Sequence, residues 1–413
     1  MSDGKVLVGG SFTVFDNTNR NYLTRLNVDG SQDPLFNPGA GPNGSVVSLA
    51  EAPDKTAILG GAFTNFSGLA FNRVGRLQAN GSVETNFSQF NRLNASVTAL
   101  ALQPDGKILV VGGFSQPAAG VVRLRLDGGV DVSFNPGLGA NGPVHAVALV
   151  RNPTNYLACQ AVIGGAFTSI NGSERSRLAR LKSDGGLDAS FVAPAISNGV
   201  VYAVVVDADG KMLVGGAFTN VGAFARRGIV RLKADGSVDE SFDPGAGANG
   251  TIYAIALQPN GKILLGGDFT LLNQTNRNRI ARLLPSGSVD TEFDTSLGAD
   301  GTVYSILVLP DNKILIGGGF ATVNGLPRRG VARLVGDPPP PLRIVSAGFA
   351  QGHWKLIIES RPDSTYVLEV TTDWASWTAV STATAPGYTL ELTDPGATAS
   401  SGSRFYRVGR LVR

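Results

Sequence analysis

The chain has 413 residues, 43% apolar and 16% charged, a balance that builds a large core and excludes intrinsic disorder. Its net charge of +3 comes without long runs of like charge, and no stretch approaches the ~18 apolar residues of a membrane-spanning helix, so neither nucleic acid nor membrane insertion is expected. One cysteine, Cys159, and two histidines, His145 and His353, exclude an intrachain disulfide, a cysteine-rich zinc site and most histidine-based chemistry, and no metal or cofactor is expected. The 54 glycines exceed the ~7% of an average protein and follow no collagen period.

The glycines belong to a repeat. The phrase DGKVLVGGSFT follows Ser2 and recurs as DGKMLVGGAFT from Asp209 and NGKILLGGDFT from Asn260. Its phenylalanine stands at Phe12, Phe63, Phe114, Phe167, Phe218, Phe269 and Phe320, a spacing of about 51 residues. An arginine follows at Arg25, Arg76, Arg123, Arg180, Arg231, Arg282 and Arg333, thirteen residues on except in the third repeat, which is four residues shorter. Eight residues after the first six arginines comes an acid (Asp33, Glu84, Asp131, Asp188, Asp239, Asp290), and three later a second aromatic.

Each unit reads as four short strands. In the fifth-to-sixth junction these are TIYAIALQP, KILLGGDF, RIARLLP and SVDTEF, bounded by Asn-Gly and Ser-Gly turns where glycine tolerates positive φ. No useful helical period appears. Four strands per unit of this length predict an all-β fold, a β-propeller of four-stranded blades. Second and third strands occur seven times, but first strands, beginning near Val46, Val97, Val144, Val201, Ile252 and Val303, and fourth strands occur six times. The count favours seven blades with roughly twenty residues expected upstream of residue 1 to supply the two strands. The rival is six complete blades with residues 5–28 as a spare hairpin.

The composite pattern, with NPGAGPNG at Asn37, NPGLGANG at Asn135 and DPGAGANG at Asp243, resembles the delta-60 repeats of bacterial β-propeller proteins. The resemblance covers residues 1 to about 335. FSQFNRLNAS from Phe87 and FVAPAISNG from Phe191 depart from it by lacking the Pro-Gly-x-Gly loop. It implies a propeller usually found in exported proteins, hence an extracellular or cell-envelope location with an export signal upstream, and it carries over no catalytic motif. The expected domains are a propeller over 1–336, a Pro-rich linker over 337–341 and a β-sandwich of six strands over 342–413. That last segment, TYVLEVTTDWASWTAV to FYRV, is more loosely similar to a C-terminal module of exported bacterial proteins. It holds Trp354, Trp374 and Trp377, of which Trp374 and Trp377 read as a core tryptophan beside a rim tryptophan rather than an exposed platform.

Antiparallel connectivity puts tight turns on one face of the propeller and the long, varied loops on the other, which is the functional candidate. Three sets of residues stand out. The pairs Arg25–Asp33, Arg180–Asp188, Arg231–Asp239 and Arg282–Asp290 face each other across neighbouring strands and read as structural ion pairs, worth ~0.2–1 kcal/mol each, because function rarely needs the same chemistry in every blade. A second column, Arg20, Arg175, Arg226, Arg277 and Arg328, lies on the long-loop side and offers guanidinium forks for carboxylate or phosphate, or is simply solvated. A third, Val47, Thr98, His145, Tyr202, Tyr253 and Tyr304, begins the innermost strands and varies from blade to blade. Its tyrosines suit stacking on a sugar or peptide, or packing between blades. Cys159 replaces a turn glycine and reads as incidental.

No histidine–carboxylate metal set, nucleophile elbow or phosphate loop is present, so a non-enzymatic function is expected: a monomeric interaction propeller of the envelope or exterior, binding a protein, glycan or acidic peptide on the long-loop face. The alternative is a polysaccharide hydrolase or lyase.

Overall fold

Short runs of β-branched and apolar residues ending in Gly-Gly set up seven antiparallel sheets in series. The computed structural model describes residues 3–87, 93–150, 159–293, 297–336, 343–350, 352–360, 365–385, 389–398 and 403–411. The expected linker at 337–341, and 88–92 of the departing second-repeat loop, lie outside the described residues. The chain divides into two compact units, Met1–Val308 with Ile314–Leu334, and Leu309–Lys313 with Val335–Arg413.

In the first unit, six of the seven blade sheets carry three strands each, as in blade five with Val201–Val206, Met212–Gly216 and Ile229–Leu232. Their first strands start at Val46, Val97, Val144, Val201, Ile252 and Val303. Blade one has two strands, Val6–Gly9 and Leu23–Leu26, which correspond to the second and third of the others. The fourth strand is reduced to one antiparallel bridge per repeat, such as Leu232↔Val238. It stops there because the Asp239 carboxylate accepts from the Ser241 amide and hydroxyl, at 3.2 and 2.7 Å, and curls the chain into a turn. No helix occurs among the described residues.

Six buried clusters join blade one to two and onward to blade seven. Gly215 permits this packing: a Cβ there would stand 2.8 Å from Ile255 Cδ1 of the next blade. Arg25, Arg76, Arg123, Arg180 and Arg231 each also donate to a turn carbonyl of the following blade, as Arg123 does to Ser183 O and Arg180 to Ala234 O. Arg333 repeats the pattern onto Val28 O at 2.7 Å, which brings blade seven back to blade one. Residues 5–28 are therefore a blade of a seven-membered ring and not a spare hairpin.

The long-loop face is tied down by side chains. Asn249 accepts from the Thr270 and Leu271 amides at 2.8 Å each, and Asn43, Asn141 and Asp300 act alike in their blades. This gives the asparagine of the Asn-Gly signature its role: it fastens the small hairpin inserted between second and third strands.

The second unit has two three-stranded sheets, Ile344–Ala350, His353–Glu359 and Thr389–Asp394 against Thr365–Thr371, Thr378–Thr384 and Phe405–Leu411. They share one core that includes Leu356, Ile358, Tyr366, Leu368 and Leu392.

Candidate functional site

Every innermost strand is interrupted near its start. The pairing register jumps between Val201 and Ala203, between Ile252 and Ala254, and at the matching place in all six first strands. The skipped residues are Val47, Thr98, His145, Tyr202, Tyr253 and Tyr304. A β-bulge leaves one residue unpaired and re-aims its side chain. Opposite five of the bulges stands the second glycine of Gly-Gly, and in blade three Gly112 takes that place after Val111; a Cβ on Gly216 would overlap the Val200 carbonyl that the bulge pushes out. The Gly-Gly pair thus serves two ends, the first glycine admitting the next blade and the second admitting the bulge.

The bulges set four rings side by side along the start of the inner strands. Centroids lie 5.1 Å apart from His145 to Tyr202, 5.1 Å from Tyr202 to Tyr253 and 5.3 Å from Tyr253 to Tyr304, with planes tilted by 38°, 55° and 55°. His145, Tyr202 and Tyr253 are half-buried and Tyr304 is 58% exposed, so the ladder keeps a solvent side. Thr98 does not join it, because its hydroxyl donates to Val144 O at 2.6 Å in the next blade. Burial holds the His145 imidazole below its ordinary value, which leaves it neutral at pH 7. Burial, helped by the Asp268 charge and the neighbouring phenols, raises Tyr253 against a hydrogen bond with Thr251. The ladder therefore sets a neutral imidazole beside phenols able to donate and accept.

The arginine column is placed differently. Arg175, Arg226, Arg277 and Arg328 each donate to the carbonyl of the preceding residue at 2.7–3.2 Å. Arg226 also meets Asp243 at 3.4 Å, and Arg20 meets Gln32 at 3.2 Å. Both partners sit at or just beyond the outermost bridge of their blade. No hydrogen bond, ion pair or ring contact joins this column to the ladder among the described residues.

The remaining arginines are built into the walls. Arg25, Arg123, Arg180, Arg231 and Arg282 bond the acid eight residues on at 2.7–2.9 Å, and each guanidinium lies 4.6–4.9 Å over the following phenylalanine. Lys5, Lys107, Lys211 and Lys262 add a second cation to four of the acids. Burial alone would raise Asp33, but hydrogen bonds from Lys5, the Leu35 amide and Arg25 hold it at about 2. Where both partners are buried, as in Arg25–Asp33, Arg123–Asp131 and Arg282–Asp290, the ~0.2–1 kcal/mol expected of exposed cross-strand pairs does not apply; removing one partner of a buried pair costs about 3–5 kcal/mol.

Seven matches to the sequence model of a β-propeller domain of unknown function, DUF5122, fall on residues 2–36, 52–87, 103–134, 162–191, 208–242, 258–293 and 309–337, more than half of the chain. The chain belongs to the DUF5122 β-propeller family. No curated protein matches this DUF5122 propeller in sequence. Among solved structures, a gluconolactonase from Xanthomonas campestris aligns with 59% of this chain and 75% of its own at 16% identity and a TM-score of 0.36. A glycoside hydrolase aligns with 88% and 80% at 12% identity and a TM-score of 0.22. Likenesses this distant carry no argument about activity.

Two features of the DUF5122 propeller's mouth were passed over in the sequence. Asp268 is an exposed acid close to Tyr253, at a position that elsewhere reads Ser11, Ala62, Gly113, Ala166, Ala217 and Gly319. One acid in a column of small residues was the available signal. Arg73, Arg177 and Arg279 lie ten residues after the anchoring phenylalanine in left-handed backbone, with φ of 68°, 70° and 66°, and their guanidinium groups bond loop carbonyls of Ala62, Ala166 and Ala299. In the second unit Trp374 is 63% exposed beside a half-buried Trp377, with the Trp374 ring 4.2 Å from Phe405.

Proposed function

We propose that this DUF5122 propeller is a non-catalytic glycan-binding protein of the cell exterior or envelope, and that a neutral saccharide lies on the ring ladder at the long-loop mouth. The observation that carries this reading is the continuous run His145–Tyr202–Tyr253–Tyr304, aimed by bulges and still partly open to solvent. Aromatic faces pack against the C–H face of a sugar, and phenol hydroxyls, a neutral imidazole and the Asp268 carboxylate suit a polyol. The acid beside Tyr253 and the engagement of Arg175, Arg226, Arg277 and Arg328 with their own carbonyls favour a neutral over an acidic ligand. The proposed location rests on the delta-60 resemblance.

The test is binding to a panel of neutral and anionic glycans by wild type, Tyr202→Ala and Tyr253→Ala. Each variant should bind its neutral glycan about tenfold more weakly or worse, at unchanged melting temperature. Unchanged binding overturns the ladder as the site. Binding confined to anionic glycans and lost in Arg277→Ala moves the site to the arginine column, and shortening of the glycan on incubation overturns the non-catalytic reading.

A further inference from the structure

The four rings of the ladder occupy the same position on four successive blades, so one blade step carries each onto the next. Seven blades that close a full turn make that step a rotation of ~51°. The tyrosines follow it: their planes turn by 55° from Tyr202 to Tyr253 and by 55° again from Tyr253 to Tyr304. His145 and Tyr202 differ by 38°. The spacing is as regular as the turn, with centroids 5.1–5.3 Å apart at every step. The ladder is thus an arc round the mouth and not a flat platform. Its ends, His145 and Tyr304, are three blade steps apart and stand on nearly opposite sides of the opening.

This curvature decides which chain of sugars can touch every ring. A chain linked through equatorial bonds leaves each pyranose in nearly the direction in which it entered, and so runs as a straight ribbon. Laid against the arc, it meets two neighbouring rings and then lifts away. A chain linked through an axial bond bends the same way at each residue and can follow an arc. One pyranose with its linkage oxygen is close in length to one step of the ladder, so successive residues of a bent chain meet successive rings. Asp268 adds a carboxylate beside Tyr253 for a sugar hydroxyl, at a place where blades five and seven carry Ala217 and Gly319.

We propose that the ladder selects bent, axially linked neutral oligosaccharides of the maltose type over straight, equatorially linked ones of the cellulose type. The inference rests on the glycan reading and specifies the linkage class for the same site. It requires both ends of the arc to act on one ligand, which a straight chain cannot satisfy.

The probes are maltohexaose and cellohexaose, neutral chains of the same sugar and the same length that differ in linkage, titrated into the full chain. Maltohexaose should bind about tenfold more tightly or better. His145→Thr and Tyr304→Val put at the two ends of the ladder the residues that Thr98 and Val47 supply in blades three and two, so both variants should melt close to the wild type. Each should weaken maltohexaose about tenfold. A loss in only one variant, or in neither, overturns the arc as the contact surface. Equal or tighter binding of cellohexaose overturns the linkage class and leaves the glycan reading standing, as does binding of some other neutral glycan when neither hexaose binds. Failure of every neutral glycan to bind overturns both.

Discussion

Arg282 brings three kinds of bonding to one guanidinium that is 2% exposed: an ion pair to Asp290 at 2.7 Å, a ring contact with Phe293 at 4.6 Å and a hydrogen bond to Gln258. Truncating it leaves the Asp290 carboxylate in the wall with only Lys262 to offset its charge. Arg282→Ala should therefore lose about 3–5 kcal/mol in chemical denaturation, while the pair of changes Arg282→Met and Asp290→Leu should recover most of it. Glycan binding should be unaffected in both. The acids also set a pH limit. Asp33 at about 2, with Asp131, Asp188, Asp239 and Asp290 likewise lowered, binds fewer protons folded than unfolded. Stability from these groups is then complete above pH ~4 and is lost as pH falls from there through about 2. Denaturation midpoints between pH 6 and 2 should stay level and then drop across that window, and Asp33→Asn should make the drop shallower. Spacing in the sequence was enough to place each arginine opposite its acid. It was silent on the arginine's other bond, because that carbonyl belongs to the next repeat, 54 residues away between Arg180 and Ala234.

At the scale of the strand, the bulge decides what the molecule shows to its surroundings. Without it, Tyr202 would alternate with its neighbours and turn into the contact between blades. One extra residue in a six-residue strand has no composition of its own, so it could not be read from the strand itself. The trace lies in the partner strand, where Gly216 makes room for the Val200 carbonyl. Gly216→Ala should force that carbonyl to shift, at a cost of about 1–3 kcal/mol in thermal or chemical denaturation, and should weaken glycan binding as Tyr202 loses its aim. A variant that binds normally would separate the bulge from the ladder. The fourth strand shows the opposite case: a legible element that shrinks to a single bridge because an aspartate captures its own downstream amide.

Over the whole molecule, the 51-residue period was the strongest signal in the sequence, and it specified seven blades because each must bury its faces against a neighbour. What the period could not convey is the difference between blades on their inner strands, where the skipped residue is Thr98 in one, His145 in the next and a tyrosine in three more. Six joints are cores sealed by phenylalanine and glycine, and they hold the blades that carry these rings in one fixed succession. The ladder therefore acts as a ruler, graduated every 5.1–5.3 Å from His145 to Tyr304, and a chain laid along it is gauged by its length.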